Sequence, residues 1–146
     1  MTGHGLFFLG SAACFLAAGL TGLLFLVQEG RIKRKDPRAL RGLSLPLEGL
    51  DRLNWLAVVA GFVLFSFGMI QGHRLAGLAW GAPFSGDPIE VWSWITWAAY
   101  GLVLILRLTA GLKGRRVVFL SVVSFLLVLL TIGGVNHLAQ TRHHLF

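Results

Sequence analysis

The chain has 146 residues, 55% of them hydrophobic and only 13% charged, with a mean hydropathy of +0.75. Soluble domains carry roughly 25% charged residues, so this composition excludes an ordinary soluble fold and specifies an integral membrane protein. The net charge of +7 does not point to nucleic acid: the basic residues sit between apolar runs, where their natural partner is an anionic lipid surface.

At this length a single transmembrane domain over residues 1–146 is expected. The first apolar run, residues 6–27, is long enough to cross a hydrocarbon core, which needs about 20 helical residues. Its small residues Ala13, Ala17, Ala18, Gly19 and Gly22 let another helix approach closely. Cys14 is the only cysteine, which excludes an intrachain disulfide and a thiolate metal cluster, and it reads as a buried small residue in that helix. A basic loop, residues 28–54, follows with Arg31, Lys33, Arg34, Lys35, Arg38 and Arg41. Within it, Leu43, Leu47, Leu50 and Asn54 share one helical face, with Glu48, Asp51 and Arg52 mostly on the other. This pattern predicts a short interfacial helix opened by Pro46.

The second crossing is expected over residues 55–79, with Gly68 and Gly72 as a small-residue packing pair. Residues 80–97 then hold four of the five tryptophans, Trp80, Trp92, Trp94 and Trp97, and two of the six acids. Asp87 is placed to cap a helix, Pro88 suits its first position, and Glu90 at the third closes a capping box. The tryptophans suit either an aromatic belt at a membrane surface or a platform for a flat ligand. The third crossing, residues 88–107, leads to a basic turn through Gly111, Lys113, Gly114, Arg115 and Arg116. The fourth covers residues 117–138, before a polar tail with His143 and His144.

These elements define the expected fold class, an all-α membrane protein of four transmembrane helices. Eleven Lys and Arg residues fall in the first and third loops or beside them, against only Arg74 and Arg142 on the opposite side. The positive-inside rule therefore puts those loops in the cytoplasm, with both termini and the tryptophan-rich loop outside. All five histidines, His4, His73, His137, His143 and His144, then fall on the outer side.

Neutral imidazole binds metals and haem iron. His4 and His143 can bracket a macrocycle lying on the tryptophans; His73 and His137 form a second possible pair, or are polar residues satisfied inside the bundle. The sequence shows no nucleophile and base arrangement and no phosphate loop, so no enzyme activity is expected.

Several motifs, taken together in order, carry a resemblance. They are LVQEGRIKRK, LPLEGLDRLN, the Gly68 and Gly72 helix, Trp80-Gly81, Asp87-Pro88 with Glu90 and Trp92, and Thr96-Trp97. Arg107 with Gly111 and Gly114, then Gly134-Val135-Asn136 before His143, complete the set. The chain resembles the C-terminal four helices of the cytochrome c assembly family, the haem-handling membrane proteins of the CcsA, CcmC and HemX types. The resemblance implies a haem, expected as haem b, seated over the external loop with its iron held by His4 and His143. It also implies membrane subunits or cytochrome c assembly factors as partners, in a bacterial-type cytoplasmic membrane. Phe84 and Gly86 stand where the family has further tryptophans, and Ile105 where it has a histidine. The helices that precede this unit in the family are also missing from the sequence. The expectation is an outer haem site without an inner one. Two alternatives stay open: a haem-free accessory subunit of a larger respiratory or electron-transfer complex, and a HemX-like regulator of tetrapyrrole synthesis.

Overall fold

The computed structural model describes residues 3–37, 46–81, 84, 86 and 88–143. Four long helices are seen among the described residues: α1 (Gly3–Lys33), α2 (Leu47–Trp80), α3 (Pro88–Thr109) and α4 (Arg115–His143). Three segments, Gly5–Lys33, Leu47–Ala79 and Pro88–Thr109, are long and apolar enough to cross a membrane.

Each helix packs on two neighbours, giving a ring in the order α1, α2, α3, α4 with antiparallel contacts. Both diagonals are closed at the centre. Across one, Phe15 of α1 stacks on Tyr100 of α3 with centroids 3.9 Å apart and planes 8° from parallel. Across the other, Asn54 of α2 donates from Nδ2 to Ser121 Oγ of α4 at 2.8 Å, and also to the Ala18 carbonyl of α1 at 2.7 Å. One amide side chain therefore fixes three helices, in an interior where van der Waals packing and a few hydrogen bonds must replace the hydrophobic driving force available in water. The main core gathers Phe15, Ala18, Val58, Phe65, Met69, Tyr100, Val103 and Val117; a second cluster joins Phe25, Leu50 and Val118.

The small residues of α1 set these distances. A Cβ on Gly19 would stand 2.4 Å from the Phe125 ring, and one on Gly22 would stand 2.7 Å from Val122. Ala18 is fully buried, whereas Ala13 and Ala17 turn outward and Cys14 is only half-buried. Gly68 lies against Phe8, as expected of a packing position.

The structure corrects several expected boundaries. Residues 47–54, expected within an interfacial helix, are the opening turns of one unbroken 34-residue helix, with Pro46 just before it in extended conformation; residues 38–45 lie outside the described residues. Leu50 and Asn54 are 3% and 1% exposed, so these two positions of the predicted apolar face are turned into the bundle. Asp51 likewise turns inward. At α1 the helix continues through residues 28–33, which the sequence reading put in a loop. Glu29 and Lys33 pair across one turn at 3.1 Å, and basic residues suit the negative end of the helix dipole. The fourth helix runs on to His143 through residues 139–143, where no proline or glycine interrupts it. Between α3 and α4, Gly111 and Gly114 adopt φ of 59° and 72°, a left-handed geometry that explains the glycine spacing of the basic turn.

Candidate functional site

The starts of α1 and α3 and the ends of α2 and α4 lie together at one end of the bundle. Here α3 begins at Pro88, as expected, and Glu90 Oε2 accepts a hydrogen bond from the Gly86 amide at 3.1 Å, one residue before the cap position. The carboxylate thus braces the connection entering the helix. Asp87 lies outside the described residues.

Two of the four tryptophans meet here and are held by α2. Trp97 stacks on Phe62 at 5.4 Å and donates its indole N–H to Ser66 Oγ at 2.9 Å. Trp94 meets Trp97 edge to face at 5.9 Å and also meets the imidazole of His73 at 5.6 Å with the planes 87° apart. Both indoles keep open surface, Trp94 at 43% and Trp97 at 36% exposure. Trp92 makes no ring contact with either, although the sequence reading put all four in one cluster. Helical periodicity explains the split: residues three apart share a face, whereas Trp92 and Trp94, two apart, point in different directions. Of Trp80 only the backbone is described, as the last residue of α2. Sequence reasoning missed Phe62 and Ser66, whose role depends on packing between two helices.

The expected ligands lie at this same end. His4 is in the first turn of α1 and His143 is the last residue of α4; their side chains, and those of His137 and His144, lie outside the described residues. A Cβ on Gly3 would approach Gln71 Oε1 at 3.7 Å, which brings the start of α1 beside the last turns of α2 and so near His73. The α1 and α4 register, fixed by Gly19 on Phe125 and Gly22 on Val122, puts positions 4 and 143 within about one helical turn in height. A haem asks the protein for axial nitrogens and a flat apolar surface, and the described residues at this end supply partly open indole surface from Trp94 and Trp97. Among the described residues no group of three or more His, Cys, Asp or Glu side chains is placed to hold a metal ion.

The opposite end is built from paired charges. Arg107, in the last turn of α3, grips Asp51 of α2 with two parallel bonds, 2.9 and 2.8 Å long, and its guanidinium lies 4.6 Å over the Trp55 ring. Glu29 of α1 pairs with Lys33 and reaches Arg115 at the start of α4 at 3.9 Å.

Compared with known proteins, the chain matches the family described as "Cytochrome C assembly protein" over residues 4–143. The chain belongs to the cytochrome c assembly protein family. Among its relatives, the protein named "Cytochrome c biogenesis protein CcsA" of Gloeobacter violaceus (strain ATCC 29082 / PCC 7421) is 44% identical over 105 residues, covering 72% of this chain and 31% of that protein. The protein of the same name from Prochlorococcus marinus (strain MIT 9215) is 41% identical over 96 residues, covering 66% of this chain and 31% of the relative. The chain therefore spans about a third of the length of the curated relatives it matches. No solved structure matches it.

Within this family member, motifs far apart in sequence meet in space. Asp51 of LPLEGLDRLN binds Arg107 of the basic turn, Asn54 of the same motif ties three helices, and Glu29 of LVQEGRIKRK faces Arg115. These residues hold the bundle together at the end away from Trp94 and Trp97. Ile105 is 58% exposed on the outside of the bundle.

Proposed function

We propose that this protein handles haem for cytochrome c maturation, holding one haem b at the outer face of a bacterial-type cytoplasmic membrane through His4 and His143. In this reading all four helices cross the bilayer, the basic end lies in the cytoplasm, and both termini lie outside. The uneven distribution of Lys and Arg supports that sidedness. A haem bound there would supply redox-active iron and an extended apolar macrocycle.

The chain's own part is binding and orientation. His4 and His143, on neighbouring helices, would hold the iron through their imidazoles. Trp94 and Trp97 offer indole surface to the ring, and the Ser66 hydroxyl and Phe62 ring keep Trp97 from turning away. Glu90, by bracing Gly86, holds the entry to α3 in place. No bond-making step is assigned to the chain, which acts as a carrier that presents haem to membrane partners of the assembly system.

The observation that carries this reading is the family match running from His4 to His143, with Trp94 and Trp97 in contact at the end where those positions lie. The test is haem content in purified His4→Ala and His143→Ala variants. Each should lose most of the haem held by the parent. If both retain the parent's content, the two ligands are wrongly assigned.

A further inference from the structure

His73 is left unused by the bis-histidine reading, yet it is the histidine whose contacts the structure describes most fully. It stands near the end of α2, half-buried, with its ring perpendicular to Trp94 at 5.6 Å. Trp94 also meets Trp97, itself held by the Phe62 stack and the Ser66 hydroxyl. The two indoles therefore differ in support. Trp97 has a hydrogen bond and a stacking partner, whereas Trp94, the more exposed at 43%, makes two edge contacts, with His73 and Trp97. One of those edges belongs to an already fixed residue, so the orientation of Trp94 depends on the other.

We infer that His73 is a positioning residue that sets the tilt of Trp94 and, through it, the seating of the macrocycle; this rests on the functional reading above. In this role the imidazole acts as an aromatic wedge and leaves the iron to other ligands. A methyl side chain at position 73 would leave one side of Trp94 open. An indole is then free to rotate about its χ angles into the vacated space, and its exposed face no longer holds one angle. A phenyl ring at 73 preserves the perpendicular contact with no nitrogen to donate. These two substitutions therefore separate a wedge from a ligand.

The experiment uses the full chain in detergent and compares the parent with His73→Ala and His73→Phe. Three readouts are taken: the near-ultraviolet circular dichroism of the haem-free protein, the low-spin electron paramagnetic resonance of the loaded protein, and the rate of haem loss to excess apomyoglobin. An aromatic pair contributes enough that its removal should speed haem loss about three- to tenfold. His73→Ala should do so, shift the low-spin g values while remaining low-spin, and alter the tryptophan dichroism; His73→Phe should restore all three. Loss of the low-spin signal in both variants would make His73 a ligand and overturn the inference, as would a parent-like His73→Ala. A parent that takes up no haem removes the functional reading, and with it the role in seating the macrocycle. The dichroism still decides the packing claim in that case: unchanged tryptophan bands in His73→Ala overturn it too.

Discussion

Replacing Arg107 by alanine should expose how the two halves of the bundle are locked together. The change deletes both bonds to Asp51 and the guanidinium contact with Trp55, and it leaves a carboxylate only 17% exposed without its cation. Stripping one partner from a fully buried pair costs about 3–5 kcal/mol. With the side chains 12% and 17% exposed, water reaches part of the pair, and the expected loss falls to about 2–3 kcal/mol. Of this, about 0.5–1 kcal/mol belongs to the contact with the Trp55 face. Removing Asp51 as well strands no charge, so the double alanine variant should lose no more than Arg107→Ala alone, leaving a coupling of about 1–2 kcal/mol. Lysine at 107 should recover only part of the loss, because an ammonium lacks the planar fork that meets both carboxylate oxygens. The assay is equilibrium unfolding in mixed micelles followed by tryptophan fluorescence, run on the parent, both single variants and the double variant. Additivity of the two single variants to within about 0.3–0.5 kcal/mol would refute the reasoning.

Two further outcomes follow from the packing. Gly61→Leu should cost about 1–3 kcal/mol, since a Cβ there already falls 2.7 Å from the Phe15 ring and would push it off Tyr100, whereas Gly77→Ala, with nothing within 4 Å, should be neutral or slightly stabilising; paired thermal melts in detergent check the contrast. Asn54→Ala removes donors to Ala18 and Ser121 but also an Oδ1 that is buried without a partner among the described residues, so its net cost should be about 1–2 kcal/mol in the same melts.

The number and order of helices were legible because each span is a long apolar run closed by basic or glycine-containing segments. Pro88 marked the start of α3 by local rules alone. The boundary at residue 47 was not legible: the pattern from Leu47 to Asn54 is amphipathic and fits an interfacial helix equally well, and only tertiary contacts decide that Leu50 and Asn54 face the bundle. Asp51 and Arg107 lie 56 residues apart, yet a signal existed, since opposite charges at matching depths of two apolar helices tend to pair. Gly61 gave no such signal, because its importance comes from the Phe15 ring on another helix. Of the tryptophan-rich segment, Trp94 and Trp97 meet in the structure. Its composition was visible, but the spacing of residues 92, 94 and 97 already separates Trp92 from the other two, a consequence of helical geometry that the residue count obscures.

The central claim is the haem at the tryptophan-rich end, and a reduced-minus-oxidised absorbance spectrum of the detergent-purified chain, with haem quantified per polypeptide, tests it most directly. The account predicts sharp low-spin bands of a bis-histidine centre at about one haem per chain. A flat spectrum from protein made in haem-replete cells would contradict it.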